Sequence, residues 1–393
     1  MWTYPWDILD VGFDDAVAEL REAGLNAVSL ATSYHAGRFF QARSPARKAY
    51  FPEDGTIYFR PDPGMWEGKR IRPEVAGVVG RGDVLRELVE GRDRTGLKVG
   101  AWTVCLHNTR LGMLHPDAVT RNAFGDRNFY NLCPSHPAAR DYAVTLVADL
   151  TRNYKPDSVE LESASFLGFA HEYHHEKDGV GLTAEDDYLL SLCFCPSCLE
   201  RAARAGVDGA AAQRTVRAWI ETTAARELPR PRWPDFRERG LEVFRDHPEV
   251  HDYVNWRFEP VTSLVAEIRQ RADPASRVFV IDLADGWTGG CDHAALGKVS
   301  DGLILCAYGL PPAAIAALVA RGRAAVGPQK HLGAGFRLFF PEVTGADDLT
   351  AKSLAAAGAG ADAINYYNYG LIPAARMKWI RQAAERLGGP QAS

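Results

Sequence analysis

Three cysteines lie close together in the run Cys193-Phe194-Cys195-Pro196-Ser197-Cys198. Thiolates at this spacing can bind one Zn²⁺ ion, which takes four ligands in a tetrahedral arrangement. Cys133, in a loop that precedes the run, is predicted as the fourth ligand, and Cys105 at a predicted strand end is the alternative. Four thiolates leave no open position for water, so the sequence predicts a structural zinc that links two loops.

Acidic residues form a second candidate group. In residues 158–163, the period of a strand puts Glu160 and Glu162 on one face and Val159 and Leu161 on the other. Because the apolar side chains should meet a helix layer, both glutamates are expected to point inward, where an acid is costly unless it is paired or functional. Glu162, nearer the carboxyl end, is the predicted catalytic residue, and Glu160 is a deeper supporting residue.

Hydrolysis of a glycosidic bond needs two carboxyl groups across the scissile bond, one as the acid and the other as nucleophile or base. Asp282, which ends an apolar run, is the first choice as the partner of Glu162. Glu342, which follows a later strand in Phe339-Phe340-Pro341-Glu342, is the alternative. The predicted catalytic set is therefore Glu162, Asp282 and Glu342.

Aromatic and histidine side chains follow several of the same strands. Such side chains can stack on a sugar or hydrogen-bond its hydroxyl groups. Besides Glu160, the predicted substrate-binding residues are His35, Trp102, His107, His174, His175, Trp287, Tyr308 and Tyr367. The segment from His171 to His175 also fits the H-E-x-x-H pattern of zinc proteases, but it follows a barrel strand and is interpreted as a substrate-binding loop.

These residues lie in or after short apolar segments that alternate with amphipathic helices, a pattern that produces a parallel sheet covered by helices. The predicted strands are residues 2–9, 26–32, 97–105, 158–163, 277–283, 302–308, 331–339 and 361–367. The pattern indicates an α/β protein, a (β/α)8 TIM barrel with long insertions after strands 2, 3 and 4. A doubly wound open sheet is disfavoured, because no glycine-rich phosphate turn follows the first strand.

The whole chain, residues 1–393, is predicted to be a single barrel domain. Residues 164–276 contain no clear strand and are predicted to be a helical insertion after strand 4 that carries the cysteine run. Barrel enzymes have their active sites at the carboxyl ends of the strands. The predicted catalytic and substrate-binding residues should therefore meet at that end.

Composition limits the classes of partner. Of the 393 residues 46% are hydrophobic, and 45 Lys+Arg against 50 Asp+Glu give a net charge of −5. This composition excludes a disordered chain, and the interspersed charges argue against a nucleic-acid partner. No run approaches the ~18 apolar residues of a membrane span and no signal peptide is recognisable, so a cytoplasmic location is expected. A small carbohydrate is the expected ligand, and homo-oligomer formation is compatible with the sequence.

Cys133-Pro134-Ser135-His136-Pro137, followed by the C-x-C-x-x-C run at 193–198, resembles the zinc-cysteine pattern of glycoside hydrolase family 42, the β-galactosidases. The stretch around strand 4 is also similar to hypothetical glycosyl hydrolases with family-13-like barrels. The local match covers residues 97–198 and implies that the carboxylate ending strand 4, Glu162, is catalytic. The chain departs from family 42 in having Leu161-Glu162 in place of an Asn-Glu pair and no glutamate inside strand 7.

Three functions remain open at this point. The first is a cytosolic glycosidase that acts on a small glycoside or oligosaccharide and contains a structural zinc. The second is a metal-dependent sugar isomerase or epimerase, in which Glu160, Glu162, Asp282 and His107 hold a divalent ion. The third is a carbohydrate-binding barrel without catalytic activity.

Overall fold

A computed structural model of the chain describes residues 1–171, 175–283 and 285–388. Eight parallel strands form the centre of the fold: β1 (Trp2–Thr3), β2 (Ala27–Tyr34), β3 (Lys98–Val104), β4 (Ser158–Glu162), β5 (Arg277–Leu283), β6 (Gly302–Cys306), β7 (His331–Arg337) and β8 (Ala363–Tyr367). The chain is therefore an α/β protein with a large parallel sheet, as the alternating pattern predicts.

The strands follow one another in the sheet in chain order. β2 pairs with β1 and β3, and each later strand pairs with the next up to β8. Thr56–Ile57 adds an antiparallel strand to β2, and Glu74–Val75 pairs with it to complete a ten-stranded sheet. No ladder joins β1 to β8 within the described residues, but Tyr369, just after β8, donates its backbone N–H to Trp2 O at 3.0 Å.

The first strand is shorter than predicted, because a helix begins at Pro5. Proline lacks a backbone N–H and has a fixed φ, which suits the first position of a helix. Asp7 accepts a hydrogen bond from Tyr4 N at 2.9 Å, and this cap fixes the helix start. The predicted strand over residues 2–9 is thus wrong beyond Thr3, whereas the other seven predicted strands agree with the structure to within a few residues.

Helices fill the segments between the strands. Their bounds are Pro5–Val11, Phe13–Glu22, Pro63–Trp66, Val84–Glu90, Arg92–Thr95, Thr109–Leu114, Pro137–Tyr154, Ala184–Ser191, Pro196–Arg204, Gly209–Ala224, Phe236–Arg239, Pro248–Trp256, Phe258–Arg271, His293–Val299, Pro312–Val326, Ala346–Gly358 and Met377–Arg386. Short 3₁₀ turns occupy Gly77–Gly80, Gly240–Phe244, Gly286–Gly289 and Ala374–Arg376, and two small hairpins pair Phe39–Phe40 with Ala49–Tyr50 and Val119–Arg121 with Arg127–Leu132.

The described residues between β4 and β5 contain six α-helices, a 3₁₀ turn and no strand. The last of these helices, Phe258–Arg271, packs against the helix Pro137–Tyr154, and Arg140 joins the two by donating to Pro260 O at 2.9 Å. In the described part of the chain, no helix combines the length and the apolar run needed to cross a bilayer.

Side chains on the two faces of the sheet form two separate cores. One face buries aliphatic residues such as Val159 and Val280 against the helices. The other face is aromatic and contains Trp2, Trp102 and Phe279. Because side chains alternate along a strand, a residue's position in the register decides which of these surroundings it enters.

Candidate functional site

Glu160 lies on the aromatic face of the sheet, where it pairs in register with Trp102 and Phe279. It is buried, and both of its oxygens accept hydrogen bonds, from Trp2 Nε1 and from Ser29 Oγ, each at 2.6 Å. Burial raises the pKa of this carboxyl, and the two donors oppose the shift. Because both of its oxygens are hydrogen-bonded, Glu160 is a structural residue below Glu162, and together with Trp2 and Ser29 it forms the floor of the site.

Gly100 makes room for this floor. A Cβ at Gly100 would lie 2.8 Å from Glu160 Oε1 and 2.8 Å from Ser29 Oγ. Any larger residue would push apart the carboxylate and its donor, since real Cβ contacts do not come so close. Glycine is therefore required at this position by the close approach of three strands.

Glu162 lies two residues further along β4, on the same face and nearer the carboxyl end. Its side chain is half-buried and accepts a hydrogen bond from Trp102 Nε1. Burial raises the pKa of Glu162 to about 7, although the Trp102 hydrogen bond opposes the shift. A large share of this carboxyl therefore keeps its proton near neutral pH, as a general acid must.

Tyrosines surround Glu162. Tyr4 and Tyr367 share a hydrogen bond between their hydroxyls at 2.7 Å, and the ring of Tyr4 lies 5.2 Å from that of Trp102. Burial raises the pKa of Tyr34, and Tyr367 and Glu162 close by raise it further. The result is a mouth of aromatic rings with neutral hydroxyl groups around one acid.

On the far side of this mouth, Arg337 and Glu342 form an ion pair. Arg337 ends β7 in register with Tyr367, and its Nε donates to Glu342 Oε1 at 2.7 Å. The Arg337 guanidinium also lies over the ring of Tyr308, 5.2 Å from its centroid. Glu342 Oε2 is buried and has no hydrogen-bond partner among the described residues. One oxygen of Glu342 is thus held by a cation, while the other is buried and has no partner among the described residues.

Tyr308 connects the two carboxylates. Burial raises its pKa, and Cys306, Tyr367 and Glu162 nearby raise it further. Its ring carries the Arg337 guanidinium on one face, so Tyr308 lies between Glu162 and the Arg337–Glu342 pair.

Asp282 lies on the other face of the sheet. It pairs with Leu305 of the aliphatic core, whereas Ile281 packs with the aromatic core. Asp282 Oδ2 is bonded to His293 Nε2 at 2.7 Å, and its carboxylate packs against Gly286, where a Cβ would meet Oδ2 at 1.8 Å. The structure therefore does not bring Asp282 to face Glu162, because β5 presents its even-numbered residues to the helices.

The predicted histidines divide between three places. His35 and His107 stack with ring centroids 3.9 Å apart, and burial lowers the pKa of His35 to about 4 and that of His107 to about 2, so both are neutral. His35 also stacks on Tyr34, which connects this pair to the mouth. His175 is exposed, and His174 lies outside the described residues.

Trp287 does not reach the mouth. Its ring lies 5.0 Å from Tyr188 and 5.6 Å from Phe236, in the helical segment between β4 and β5. Its position after a strand suggested a sugar platform, but the 3₁₀ turn at Gly286–Gly289 directs it into a helix-packing role.

Three residues of the mouth were missed in the sequence: Tyr4, Tyr34 and Arg337. Tyr34 and Arg337 are the last residues of β2 and β7. Arg337 follows Gly333 and Gly335 at a spacing of two, so strand period alone could have marked it as inward-facing. Tyr4 is different, because it lies within the predicted strand over residues 2–9, whereas in the structure it follows the end of β1 at Thr3 and precedes a helix.

The cysteines form a separate, buried group. Cys133 Sγ lies 3.9 Å from Cys193 Sγ, 3.6 Å from Cys195 Sγ and 3.5 Å from Cys198 Sγ. Four sulfurs at the corners of a tetrahedron with Zn–S bonds of about 2.3 Å would be about 3.8 Å apart, so the spacing fits a metal ion. Cys133 completes the group and Cys105 lies elsewhere, as its bond to Thr103 O indicates.

Backbone and hydroxyl donors surround the sulfurs. Arg121 N donates to Cys193 Sγ at 3.3 Å and Ser135 N donates to Cys133 Sγ at 3.4 Å, while Ser135 Oγ lies 3.3 Å from Cys198 Sγ. Such contacts orient and stabilise thiolate ligands. This cysteine cluster, defined as Cys133, Cys193, Cys195 and Cys198, ties the Val119–Leu132 hairpin to the helical segment after β4.

No other group of His, Cys, Asp or Glu in the described ranges has its ligand atoms close enough to hold a metal ion. Glu160, Glu162, Asp282 and His107 therefore do not form the shared metal site that an isomerase would need. A cavity of about 610 Å³ lies at the amino ends of the strands beside Lys98 and Asp157, away from the carboxylates.

No protein-family model and no curated protein matches the chain. Among solved structures, it resembles the catalytic domain of β-amylase from Paenibacillus polymyxa (TM-score 0.56, 11% identity, covering 96% of this chain and 95% of that one). It also resembles a β-galactosidase from Marinomonas ef1 (TM-score 0.56, 14% identity, covering 98% and 59%). A third is α-L-fucosidase isoenzyme 2 from Paenibacillus thiaminolyticus (TM-score 0.54, 14% identity, covering 96% and 46%).

The chain thus spans about half the length of the fucosidase and of the β-galactosidase, and nearly the whole β-amylase domain. At these identities the likeness shows the fold alone, a glycoside hydrolase-like fold. The specific patterns of family 42 and of the family-13-like barrels find no separate support in these matches.

Proposed function

We propose that the chain is a glycoside hydrolase built on a closed (β/α)8 barrel, with its active site at the carboxyl ends of the strands. The hydrogen bond from Tyr369 N to Trp2 O supports closure between β8 and β1. The helical segment between β4 and β5 is then an insertion beside the mouth. The likeness to three structures named as glycosidases agrees with this proposal.

The observation that carries the proposal is the position of Glu162. It ends β4 on the aromatic face, it has one indole donor, and its pKa of about 7 keeps much of it protonated near neutral pH. In the proposed reaction, the Glu162 O–H protonates the leaving-group oxygen as the bond from the sugar C1 to that oxygen breaks. The carboxylate that remains can then accept a proton from the incoming water.

Glu342 is the proposed second carboxylate. Arg337 forms an ion pair with it beside the mouth, and its second oxygen has no hydrogen-bond partner among the described residues. It would act as nucleophile or as base toward the opposite face of the sugar ring. The sequence ranked Asp282 above Glu342, but the register of β5 and the His293 partner favour Glu342.

The proposed substrate is a small neutral glycoside or an oligosaccharide with a neutral ring at the scissile bond. Tyr308 and Tyr367 are partly exposed and offer ring faces with hydroxyl groups at their edges, with Trp102 and Tyr34 buried behind them, and sugars present the matching surfaces. Within this proposal, the cysteine cluster would bind a structural Zn²⁺ that fixes the loops beside the mouth.

The test is hydrolysis of α- and β-linked aryl galactosides, glucosides and fucosides whose leaving groups differ in basicity. Wild-type protein should hydrolyse at least one of these series. For that sugar, Glu162→Gln should lose more activity as the leaving group becomes more basic, because a basic oxygen needs the proton most. Glu259→Gln, which changes an exposed glutamate on the helix Phe258–Arg271, is the matched control and should behave as wild type.

Two results would overturn the proposal. Sugar binding without turnover of any glycoside would indicate a carbohydrate-binding barrel. An equal loss for all leaving groups in Glu162→Gln would remove the acid role from this residue.

A further inference from the structure

A cavity of about 200 Å³ lies beside the mouth, between the Val119–Leu132 hairpin and the loop after β4. Its wall contains the aromatic rings of Phe129, Tyr130 and Phe169. This hairpin cavity is smaller than the ~300–1,000 Å³ of pockets for drug-sized ligands, so its size suits about one sugar ring. None of its lining belongs to the catalytic set.

The polar part of the wall contains more positive than negative side chains. Arg121 and Arg127 both line the hairpin cavity, and neither forms an ion pair within the described part of the chain. Asp126, the one carboxylate among the described residues of the wall, accepts a hydrogen bond from Asn122 Nδ2 at 3.0 Å. Arginine prefers a planar anion that it can bind through two N–H groups.

Two atoms of the wall also lack partners. Among the described residues, Arg121 Nε is a buried donor without a hydrogen bond, and Asn128 Oδ1 is a buried acceptor without one. Buried polar atoms are nearly always satisfied, and those that are not call for a ligand or a water. A sugar that carries an anionic substituent offers both an acceptor for Arg121 and hydroxyl donors for Asn128.

The cysteine cluster holds Arg121 in this position. The backbone N–H of Arg121 donates to Cys193 Sγ, and its carbonyl accepts from Phe194 N at 2.7 Å. The cluster therefore fixes the hairpin residue whose side chain reaches the cavity.

Aromatic rings connect the hairpin cavity to the mouth. Tyr130 lies 5.8 Å from His107, His107 lies 3.9 Å from His35, and His35 lies 4.1 Å from Tyr34, which borders Glu162. This row of packed rings places the hairpin cavity next to the mouth, within reach of an oligosaccharide bound at both.

We infer that the hairpin cavity is a subsite for one sugar unit bearing a carboxylate or a sulfate, remote from the scissile bond. This inference deepens the proposed function and rests on it for the link to hydrolysis, but the binding itself can be measured without turnover.

The experiment titrates the full-length protein with D-glucuronate, D-glucose 6-sulfate and D-glucose, followed by ligand-observed NMR at low and at high salt. Arg121→Met removes the guanidinium and keeps the length of the side chain. Arg94→Met is the matched control, because it removes an exposed arginine that pairs with Asp14 elsewhere. Zinc content and melting temperature of each variant are measured in parallel, and Arg127→Met replaces Arg121→Met if the latter fails to fold.

We expect at least one anionic sugar to bind more tightly than glucose, and its affinity to fall about tenfold or more in Arg121→Met but not in Arg94→Met. High salt should weaken the binding of the anionic sugar, because it screens the attraction between the two charges. Whether glucuronate or glucose 6-sulfate binds better identifies the anion. Equal affinity for glucose and both anions, or equal effects of the two variants, would overturn the inference.

Failure of the proposed function gives a different pattern. If no aryl glycoside is hydrolysed but Arg121→Met abolishes glucuronate binding, the subsite stands and the glycosidase proposal falls. If neutral aryl glycosides are hydrolysed normally but no anionic sugar binds, the glycosidase proposal stands and the subsite falls.

Discussion

The cysteine cluster and the mouth around Glu162 both gather buried ionisable groups, but they satisfy them in different ways. The four sulfurs lie within 4.8 Å of one another and receive only weak donors, an arrangement that could hold a metal ion at its centre. Glu162 accepts one hydrogen bond, from the indole of Trp102, and it is not paired with a cation among the described residues. It therefore stays largely protonated near neutral pH. Under the proposed function, the first group would gain stability from a bound metal ion, whereas the second would lose stability at higher pH and keep a proton for the reaction.

This difference also separates what each group contributes. A tetrahedral set of thiolates is complete without water, and its binding energy adds to the stability of the fold. A carboxyl group whose pKa is raised by burial destabilises the folded state at higher pH and gains a catalytic proton in exchange. Mutations in the cluster should therefore lower the free energy of unfolding most, whereas mutations at the mouth should lower kcat most.

The largest effect is expected for Cys133→Ser. Loss of one of four thiolates should release the bound zinc and lower the free energy of unfolding by on the order of 5 kcal/mol. Cys105→Ser is the matched control, since Cys105 is equally buried but outside the cluster, and it should cost about 1–2 kcal/mol with zinc retained. The measurements are metal analysis and denaturant unfolding. Equal losses in the two variants would mean that the cluster does not act through a metal.

The second prediction compares Glu342→Gln with Asp282→Asn. Glu342 is beside the mouth and Asp282 faces the helices, so the first variant should lower kcat by about 10³ and the second by less than about tenfold. Neither should release zinc. The measurement is kcat from steady-state kinetics on the aryl glycoside that the wild-type protein hydrolyses fastest. The reverse order would return Asp282 to the catalytic pair and show that strand register is a poor guide here.

The third prediction concerns pH. The folded chain keeps the Glu162 proton up to about pH 7, whereas an exposed carboxyl with the ordinary value of 4.5 loses it earlier. The stabilisation is therefore fully present below pH 4.5, and the free energy of unfolding falls as pH rises through the window from 4.5 to 7, by up to about 3 kcal/mol. Turnover should decline above about pH 7, because the acid form is lost.

Glu162→Gln should remove this part of the pH dependence, as measured by unfolding at pH values below and above the window. Asp7→Asn is the control, because burial raises the pKa of Asp7 to about 7 although it caps a helix. It should change the pH dependence of stability and leave the alkaline limb of turnover in place. An unchanged slope in Glu162→Gln would contradict a buried, protonated Glu162.

The two regions also differ in how far the sequence predicts them. The cluster is largely local: three of its cysteines lie within six residues, and the sulfur positions group Cys133, and not Cys105, with them. Along β4, period two placed Glu160 and Glu162 on one face of the sheet, and the structure shows this to be the aromatic face.

The partner carboxylate could not be chosen from the sequence, because the face of Asp282 depends on the register between β5 and β6, and Glu342 lies after its strand. Trp287 was misjudged for a related reason, since its direction is set by a turn and by helices far away in the chain. Seven of the eight strands follow from local pattern, whereas β1 was overextended because Pro5 and the Asp7 cap act against an apolar run.

The smallest effect is expected for Trp102→Phe. Trp102 Nε1 donates to Glu162 and lowers its pKa, so removing the donor should raise that pKa further and move the alkaline limb of turnover up by about one pH unit. Trp66→Phe is the matched control, because Trp66 Nε1 also donates to a carboxylate, Asp149, at 2.8 Å. Both variants should lose about 1–2 kcal/mol of stability, but only Trp102→Phe should shift the pH profile of kcat. A shift in neither variant would mean that the Trp102 donor does not tune the pKa of Glu162. A shift in both would mean that the effect is not specific to the mouth, and either result would weaken the contrast between a stabilising cluster and a tuned acid.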